Sequence, residues 1–209
     1  SRQSTQEKLF FHSPTVFPQF AILDPTKTYS LPPRQVANGV VDAFVHVMEQ
    51  YLTYPADGLV QDRFAEGLLK TLIEVGPQAL ANPMNYEVRA NLMWAATMAL
   101  NGLIGAGVPQ DWATHMLGHE ITALYGLDHA QTLAIILPAM LWVRRDSKRA
   151  KLLQYGERVW GMLGSEQDEH LRSIVEQTRA FFASLGVKTR LSDYGLGDEA
   201  IDAILARLA

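Results

Sequence analysis

The stretch VANGVVDAFVHVME, residues 36–49, is apolar around nearly the whole circumference of a helix. A helix with apolar side chains on every side is buried rather than laid on a surface, so this stretch predicts a helix in the core. Asp42 and His46 interrupt it, and their spacing puts both side chains on one face, one turn apart. A carboxylate there is unfavourable unless it is paired or bound to a metal ion. Taken alone, the pair fits a neutral hydrogen-bonded contact in the core as well as it fits a metal site.

A second group of chemically active residues lies further along the chain, where three of the six histidines fall within residues 115–129. His115 and His119 are again one helical turn apart on one face. His129 follows the turn at residues 125–128, from which its side chain can fold back on the preceding helix. One carboxylate with several imidazoles and no thiolate suits a divalent ion such as Zn²⁺ or Fe²⁺. The two groups together therefore favour a metal site over unrelated core and surface histidines.

Helical periodicity continues from residue 34 to the end of the chain and predicts a bundle of about eight helices. The second helix is expected to stop at Gly76-Pro77, and Pro109 is expected in the first turn of the fourth. Pro138 is expected to kink the fifth. After the first helix, the remaining seven are expected at residues 58–75, 86–104, 109–126, 129–144, 147–161, 166–185 and 198–208.

Residues 1–33 depart from this pattern. They hold five of the ten prolines, and only Gln19–Leu23 reads as a strand, which Asp24-Pro25 ends. A lone strand has no partner in this sequence for its backbone hydrogen bonds, so its partners are expected in a region that the chain lacks. The first 33 residues are therefore predicted to form an extended arm.

Composition excludes several classes of function. The chain has 209 residues, a net charge of −4 and no cysteine, which rules out disulfide frameworks and thiolate chemistry. The charge favours neither nucleic acid nor an anionic membrane. The apolar run at residues 133–143 is far shorter than the roughly 20 residues that span a bilayer. No signal peptide opens the sequence, and together with the missing cysteine this favours the cytoplasm.

The residues alone leave two other functions open. One is an all-helical metal-dependent phosphohydrolase, although such sites usually carry adjacent His-Asp and further carboxylates, and here Asp128-His129 has the reverse order. The other is a non-catalytic domain that only binds metal or mediates oligomerisation.

Two motifs resemble one known family. The run from Asn38 to Glu49 resembles the metal-binding helix of the iron-containing (group III) alcohol dehydrogenases, and the run from His115 to Pro138 is similar to that family's second signature. The amino-acid sequence at residues 32–39 and 107–115 is most similar to the branch of NADPH-dependent aldehyde reductases and butanol dehydrogenases. The resemblance covers nearly the whole chain and is specific, because both motifs match together.

The resemblance implies a chemistry and a set of site residues. The metal ligands would be Asp42, His46, His115 and His129, holding one Zn²⁺ or Fe²⁺ ion that acts as a Lewis acid. His119 would lie beside the nicotinamide and the substrate, and it could relay the alcohol proton to solvent. The reaction would be hydride transfer between NAD(P)H and a small aldehyde or primary alcohol, with NADP(H) favoured over NAD(H).

The resemblance also implies how the chain is organised. Residues 34–209 would form a helical metal-binding domain like the α domain of dehydroquinate synthase. Residues 1–33 would carry the last strand of a nucleotide-binding domain that is otherwise absent, so an upstream domain would bind most of the dinucleotide. The chain would end before the family's final helix, be inactive alone, and belong to a homodimer.

Overall fold

The stretch at residues 36–49 forms the centre of a helical bundle. Its helix, α1, spans Pro33–Tyr51 and begins with a proline, whose missing N–H is not needed in a first turn. Phe44, Val45 and Val47 are completely buried, and Val45 and Val47 point to opposite sides of the helix. The ring of Phe44 lies 5.4 Å from those of both Phe181 and Phe182, between centroids. The sequence prediction of a buried central helix is therefore confirmed.

A computed structural model describes residues 2–165 and 167–208, and in these residues eight α-helices and no β-sheet are found. The all-α prediction, with about eight helices, is confirmed. α1 packs against α2, α3, α4 and α5, and α7 packs against α5 and α6. After α1, the helices are α2 Leu59–Ala81, α3 Tyr86–Met98, α4 Ala113–Tyr125, α5 His129–Val143, α6 Arg145–Trp160, α7 Asp168–Ser184 and α8 Asp198–Leu208.

The expected end of the second helix is wrong. α2 continues through Pro77 to Ala81. At Gly76 the absence of a side chain brings α2 close to α1, since a Cβ atom there would lie 2.9 Å from a methyl group of Val40. Val75 and Ala79 share a buried cluster with Val36 of α1, and Ala79 extends this packing beyond the proline. Tertiary packing thus overrides a local stop signal.

The expected boundaries around residues 99–112 are also wrong. α3 ends at Met98, because Asn101 accepts a hydrogen bond from the N–H of Leu103 at 3.0 Å and Gly102 adopts a left-handed φ of +91°. Pro109 lies in a loop before α4. This loop is tied to the end of α1, where the N–H of Asp111 donates to the carbonyl oxygen of Glu49 at 2.9 Å.

The arm at residues 2–32 contains three short 3₁₀ turns, Gln3–Thr5, Pro14–Val16 and Pro25–Thr28. Residues 19–23 have no regular secondary structure and form no ladder within the described residues, so the expected strand is absent as a paired element. Its pairing with an upstream sheet stays a prediction. The start of the arm turns back to the helices, where Arg207 of α8 donates to the carbonyl oxygen of Gln6 at 2.8 Å.

No helix in residues 2–165 and 167–208 combines the length and the apolar character that a membrane crossing requires.

Candidate metal centre

On α1 the side chains of Asp42 and His46 lie one turn apart, as their spacing predicts. Nδ1 of His46 donates a hydrogen bond to the backbone carbonyl oxygen of Asp42 at 2.8 Å. The same nitrogen lies 3.4 Å from Oδ1 of the Asp42 carboxylate. Donation from Nδ1 leaves the lone pair of a neutral His46 on Nε2, which is the nitrogen left for a metal ion.

The other histidines come from the pair α4 and α5. Gly126 ends α4 with a φ of +71°, a left-handed conformation that glycine adopts without strain, and the chain then reverses. His129 is the first residue of α5, and its ring centroid lies 5.1 Å from those of both His115 and His119. The prediction that His129 folds back on the preceding helix is confirmed.

Three of the predicted ligands meet in one group. Asp42, His115 and His129 each offer one ligand atom, and these atoms lie within 4.8 Å of one another. Oδ1 of Asp42 is 3.8 Å from Nε2 of His115 and 3.6 Å from Nε2 of His129. His46 adjoins the group, with its ring centroid 4.3 Å from that of His115. His119 lies further from His115, at 6.4 Å between ring centroids.

The donor set fits a divalent cation. Oδ1 of Asp42 and Nε2 of His115 are buried, and neither has a hydrogen-bond partner among the described residues. A buried polar atom without a partner costs about 1–3 kcal/mol, and a cation between these two atoms would satisfy both. A carboxylate with imidazoles suits Zn²⁺ or Fe²⁺ rather than Ca²⁺ or Mg²⁺, which prefer oxygen ligands alone.

Charges around the group are coupled. Burial alone would raise the pKa of the Asp42 carboxyl, but its interactions with the imidazoles of His115 and His46, at 3.8 and 3.4 Å, hold that pKa well below its usual range. Burial alone would lower the pKa of His115, but the carboxylates of Asp42 and Glu49 outweigh it and raise that pKa. Asp42 is therefore a carboxylate at neutral pH, ready to bind a cation.

Glu49 belongs to the site, although the sequence analysis assigned it no role. Its side chain is 4% exposed. One carboxylate oxygen accepts hydrogen bonds from the backbone N–H groups of Thr114 and His115, at 2.6 and 3.3 Å, and the other pairs with Nδ1 of His115. A signal was present, because Glu49 lies two turns after Asp42 on the same face of an apolar helix.

Lys8 is a second residue that the sequence analysis missed, since 121 residues separate it from its partner. Its Nζ atom lies 3.2 Å from Nδ1 of His129. The pKa of His129 falls to about 4 because of burial and then the Lys8 charge, and that of His119 falls to about 4 for the same reasons. An ammonium only donates, so this contact places the proton of a neutral His129 on Nε2. Metal binding through Nε2 therefore requires the contact to open.

A cavity of about 280 Å³ lies beside the group, with Asp42 and His129 in its wall. Asp128 lines it as well and ties the start of α5 to α1: its carboxylate accepts a hydrogen bond from Nδ2 of Asn38 at 2.8 Å and pairs with Arg34. This contact fixes His129, the next residue, relative to Asp42. The cavity gives a small molecule room beside the candidate ligands.

Comparison with known proteins finds relatives that match nearly the whole chain. NADPH-dependent aldehyde reductase YqhD of Escherichia coli is 66% identical over 208 residues, which cover 100% of this chain and 54% of the relative. NADH-dependent butanol dehydrogenase B of Clostridium acetobutylicum is 38% identical over 206 residues, covering 97% of this chain and 53% of the relative. The chain thus spans about half the length of these relatives.

Solved structures agree with the fold. The crystal structure of E. coli YqhD superposes with a TM-score of 0.97 at 66% identity, covering 100% of this chain and 53% of that one. The structure of butanol dehydrogenase A from Thermotoga maritima gives 0.93 at 31% identity, covering 99% and 52%. The model of the C-terminal part of the Fe-containing alcohol dehydrogenase family matches residues 36–209. With that match over most of its length, the chain belongs to the Fe-containing alcohol dehydrogenase family.

Proposed function

We propose that the chain is the metal-binding helical part of an aldehyde reductase or alcohol dehydrogenase, which transfers hydride between NAD(P)H and a small aldehyde or primary alcohol. The observation that carries this proposal is the convergence of Asp42, His115 and His129, from three helices, with two buried ligand atoms that lack partners in the described part of the chain. The 66% identity to a protein named NADPH-dependent aldehyde reductase supports it and favours NADP(H) over NAD(H).

The proposed ligands are Asp42, His46, His115 and His129, holding one Zn²⁺ or Fe²⁺ ion. His46 is included because its Nδ1 proton is already engaged and its ring adjoins that of His115. When bound, the ion supplies Lewis acidity that polarises a carbonyl oxygen. The cavity lined by Asp42 and His129 supports this proposal, because it leaves room for that oxygen beside the ligands.

His119 is proposed to lie beside the nicotinamide and to pass a proton between substrate and solvent. Its ring is 5.1 Å from that of His129, between centroids, and it is partly exposed, so it reaches both the centre and water. A histidine in such a position can act as a general acid or base.

The proposed organisation has two parts. Residues 34–209 are the metal-binding domain, and residues 1–33 join it to an upstream nucleotide-binding domain that they complete with one strand. The exposed side chains of Phe20 and Ile22, at 80% and 84%, support this, because an apolar extended segment is stabilised by a neighbouring strand. A homodimeric assembly and a cytoplasmic location stay predictions, to be tested by analytical ultracentrifugation and cell fractionation.

A chimera tests the activity. The upstream half of E. coli YqhD would be joined to residue 1 of this chain and assayed for NADPH-dependent reduction of butanal, beside the 209-residue chain alone. We expect turnover by the chimera and none by the chain alone. An Asp42→Ala chimera that folds but stays active would contradict the proposed centre.

Metal analysis tests the site itself. The chain purified without chelator should hold close to one transition-metal ion. Two ions per chain, or hydrolysis of phosphoesters with added Mn²⁺, would instead support a phosphohydrolase. Membership of the alcohol dehydrogenase family does not favour that alternative.

A further inference from the structure

One carboxylate of α1 makes two kinds of contact with the first turn of α4. The N-cap residue of α4, Trp112, makes no capping hydrogen bond with its side chain. Glu49 replaces that cap from another helix, because its Oε1 atom accepts hydrogen bonds from the N–H groups of Thr114 and His115 at 2.6 and 3.3 Å. Its Oε2 atom pairs with Nδ1 of His115. The free N–H groups and the dipole of a helix N-terminus favour a negative charge there.

The contact decides which nitrogen of His115 is free. A carboxylate only accepts, so Nδ1 of His115 carries the proton and Nε2 carries the lone pair. In the neutral imidazole this free Nε2 is buried, has no hydrogen-bond partner among residues 2–165 and 167–208, and lies 3.8 Å from Oδ1 of Asp42. The nitrogen left free is therefore the one that faces the candidate ligand group.

We infer that Glu49 is the positioning residue of the metal centre: it holds His115 in the tautomer and the orientation that bind the ion. This inference rests on the proposed metal centre. Glu49 and Asp42 lie on one helix, seven residues and about 10 Å apart along its axis. The rigid helix α1 therefore carries one ligand, Asp42, together with the carboxylate that orients a second ligand, His115 of α4. A ligand histidine held by a carboxylate in this way binds metal more tightly.

The test compares two buried glutamates. In Glu49→Gln the amide oxygen can still accept the N–H groups of α4, but the amide nitrogen now donates to Nδ1 of His115 and moves the imidazole proton to Nε2. The matched control is Glu66→Gln, because Glu66 is also buried, at 5% exposure, and it accepts hydrogen bonds from Tyr51, Arg63, Gln154 and Arg158 and none from α4 among the described residues.

Affinity for Co²⁺ or Zn²⁺ would be measured by titration of the folded 209-residue chain. We expect Glu49→Gln to lower it about 10–100-fold, and Glu66→Gln to leave it unchanged. Equal affinities for Glu49→Gln and wild type would overturn the inference. If wild type itself binds no ion, the proposed function fails, and the next measurement still tests Glu49.

The second measurement needs no metal and is decided by the wild-type protein. Nitrogen-15 spectra of the metal-free wild type at alkaline pH report which imidazole nitrogen carries the proton, with His115 assigned from a His115→Asn spectrum. We expect the Nδ1–H form in wild type and the Nε2–H form in Glu49→Gln. An Nε2–H form in wild type would overturn the inference even if Glu49→Gln did not fold.

Discussion

Oδ1 of Asp42 and Nε2 of His115 are 3.8 Å apart, and both lack a hydrogen-bond partner in the described part of the chain. Two such atoms lose hydration on folding without a direct hydrogen bond in return, so part of the penalty of burying them stays uncompensated. A cation removes that penalty and binds the folded chain rather than the unfolded one. Metal affinity and stability should therefore change together when a ligand is lost.

Substitutions of His46 and of His119 should have different effects. The ring centroid of His46 lies 4.3 Å from that of His115, whereas the ring centroid of His119 lies 6.4 Å from it. We expect His46→Ala to lose the ion and to lower the melting temperature of the loaded protein. His119→Ala should keep the ion, and in the YqhD chimera it should lower kcat by about 10²–10⁴-fold. Metal analysis, thermal unfolding and chimera kinetics check both. Loss of the ion from His119→Ala would show that the two roles are assigned wrongly.

Glu66 carries a pH dependence that is separate from the metal centre. Burial alone would raise its pKa, but hydrogen bonds from Arg158, Gln154 and Arg63 hold the pKa below its usual range. A carboxyl group whose pKa is depressed in the folded state stabilises that state above its unfolded pKa of about 4.3 and loses this contribution as the pH falls through the folded value.

Glu66→Gln should therefore lower the free energy of unfolding by about 1–3 kcal/mol at neutral pH and by less in acid. Urea unfolding of wild type and variant between neutral pH and pH 3 measures the difference, with the metal removed from both. A difference that stays constant over this range would contradict the assignment of the ion pairs to Glu66.

At the scale of helices, α4 and α5 touch through a glycine. A Cβ atom at Gly118 would lie 2.7 Å from Oγ1 of Thr132 and 3.2 Å from a methyl group of Leu133. Thr132 cannot move freely, because its hydroxyl donates to the carbonyl oxygen of His129 at 2.7 Å. The spacing of the two helices, and with it the position of His129, therefore depends on a missing side chain.

Gly118→Ala should push α4 and α5 apart, lower the free energy of unfolding by about 1–3 kcal/mol, and weaken metal binding. Gly67→Ala is the control, since Gly67 lies in α2 with nothing in the described residues within 4 Å of its added Cβ, and alanine there should stabilise by about 0.5–1 kcal/mol. Urea unfolding and metal titration of both variants check this. A neutral Gly118→Ala would show that the helices can part without loss.

Sequence periodicity located the helices better than their ends. α1 and α5 were predicted closely because their apolar residues are dense and their first residues are clear. The end of α2 was missed because contact of Gly76 with α1 outweighs the local effect of Pro77. The end of α3 was missed because Ile104, in the following loop, is as buried as a core helix residue and continues the apolar pattern.

The same division holds in the site. Pairs four residues apart could be read from the sequence, because helix geometry alone brings them together. The contacts of Glu49 with His115 and of Lys8 with His129 join segments 66 and 121 residues apart, so only the packing of the chain reveals them.

At the scale of the whole molecule, the arm lies against the helices at two points, where Arg207 of α8 donates to Gln6 and Lys8 contacts His129. A cation at His129 and the ammonium of Lys8 exclude each other, through charge and through the imidazole proton. By linkage, each weakens the binding of the other by the same factor. Lys8→Met should therefore bind metal several-fold more tightly than wild type, whereas Lys27→Met, at an exposed site, should not.

Binding of an ion at the metal centre should therefore change the rate at which a protease cuts the arm. Adding Zn²⁺ releases the arm, so trypsin should cut after Lys8 faster in the loaded protein than in the metal-free one. Cleavage after Lys27, whose side chain is 82% exposed, serves as the internal reference and should keep its rate. Equal rates at Lys8 with and without the ion would mean that the arm and the metal do not compete. If the arm and the metal do compete, the Lys8 ammonium is an inhibitor of metal uptake that belongs to the chain itself.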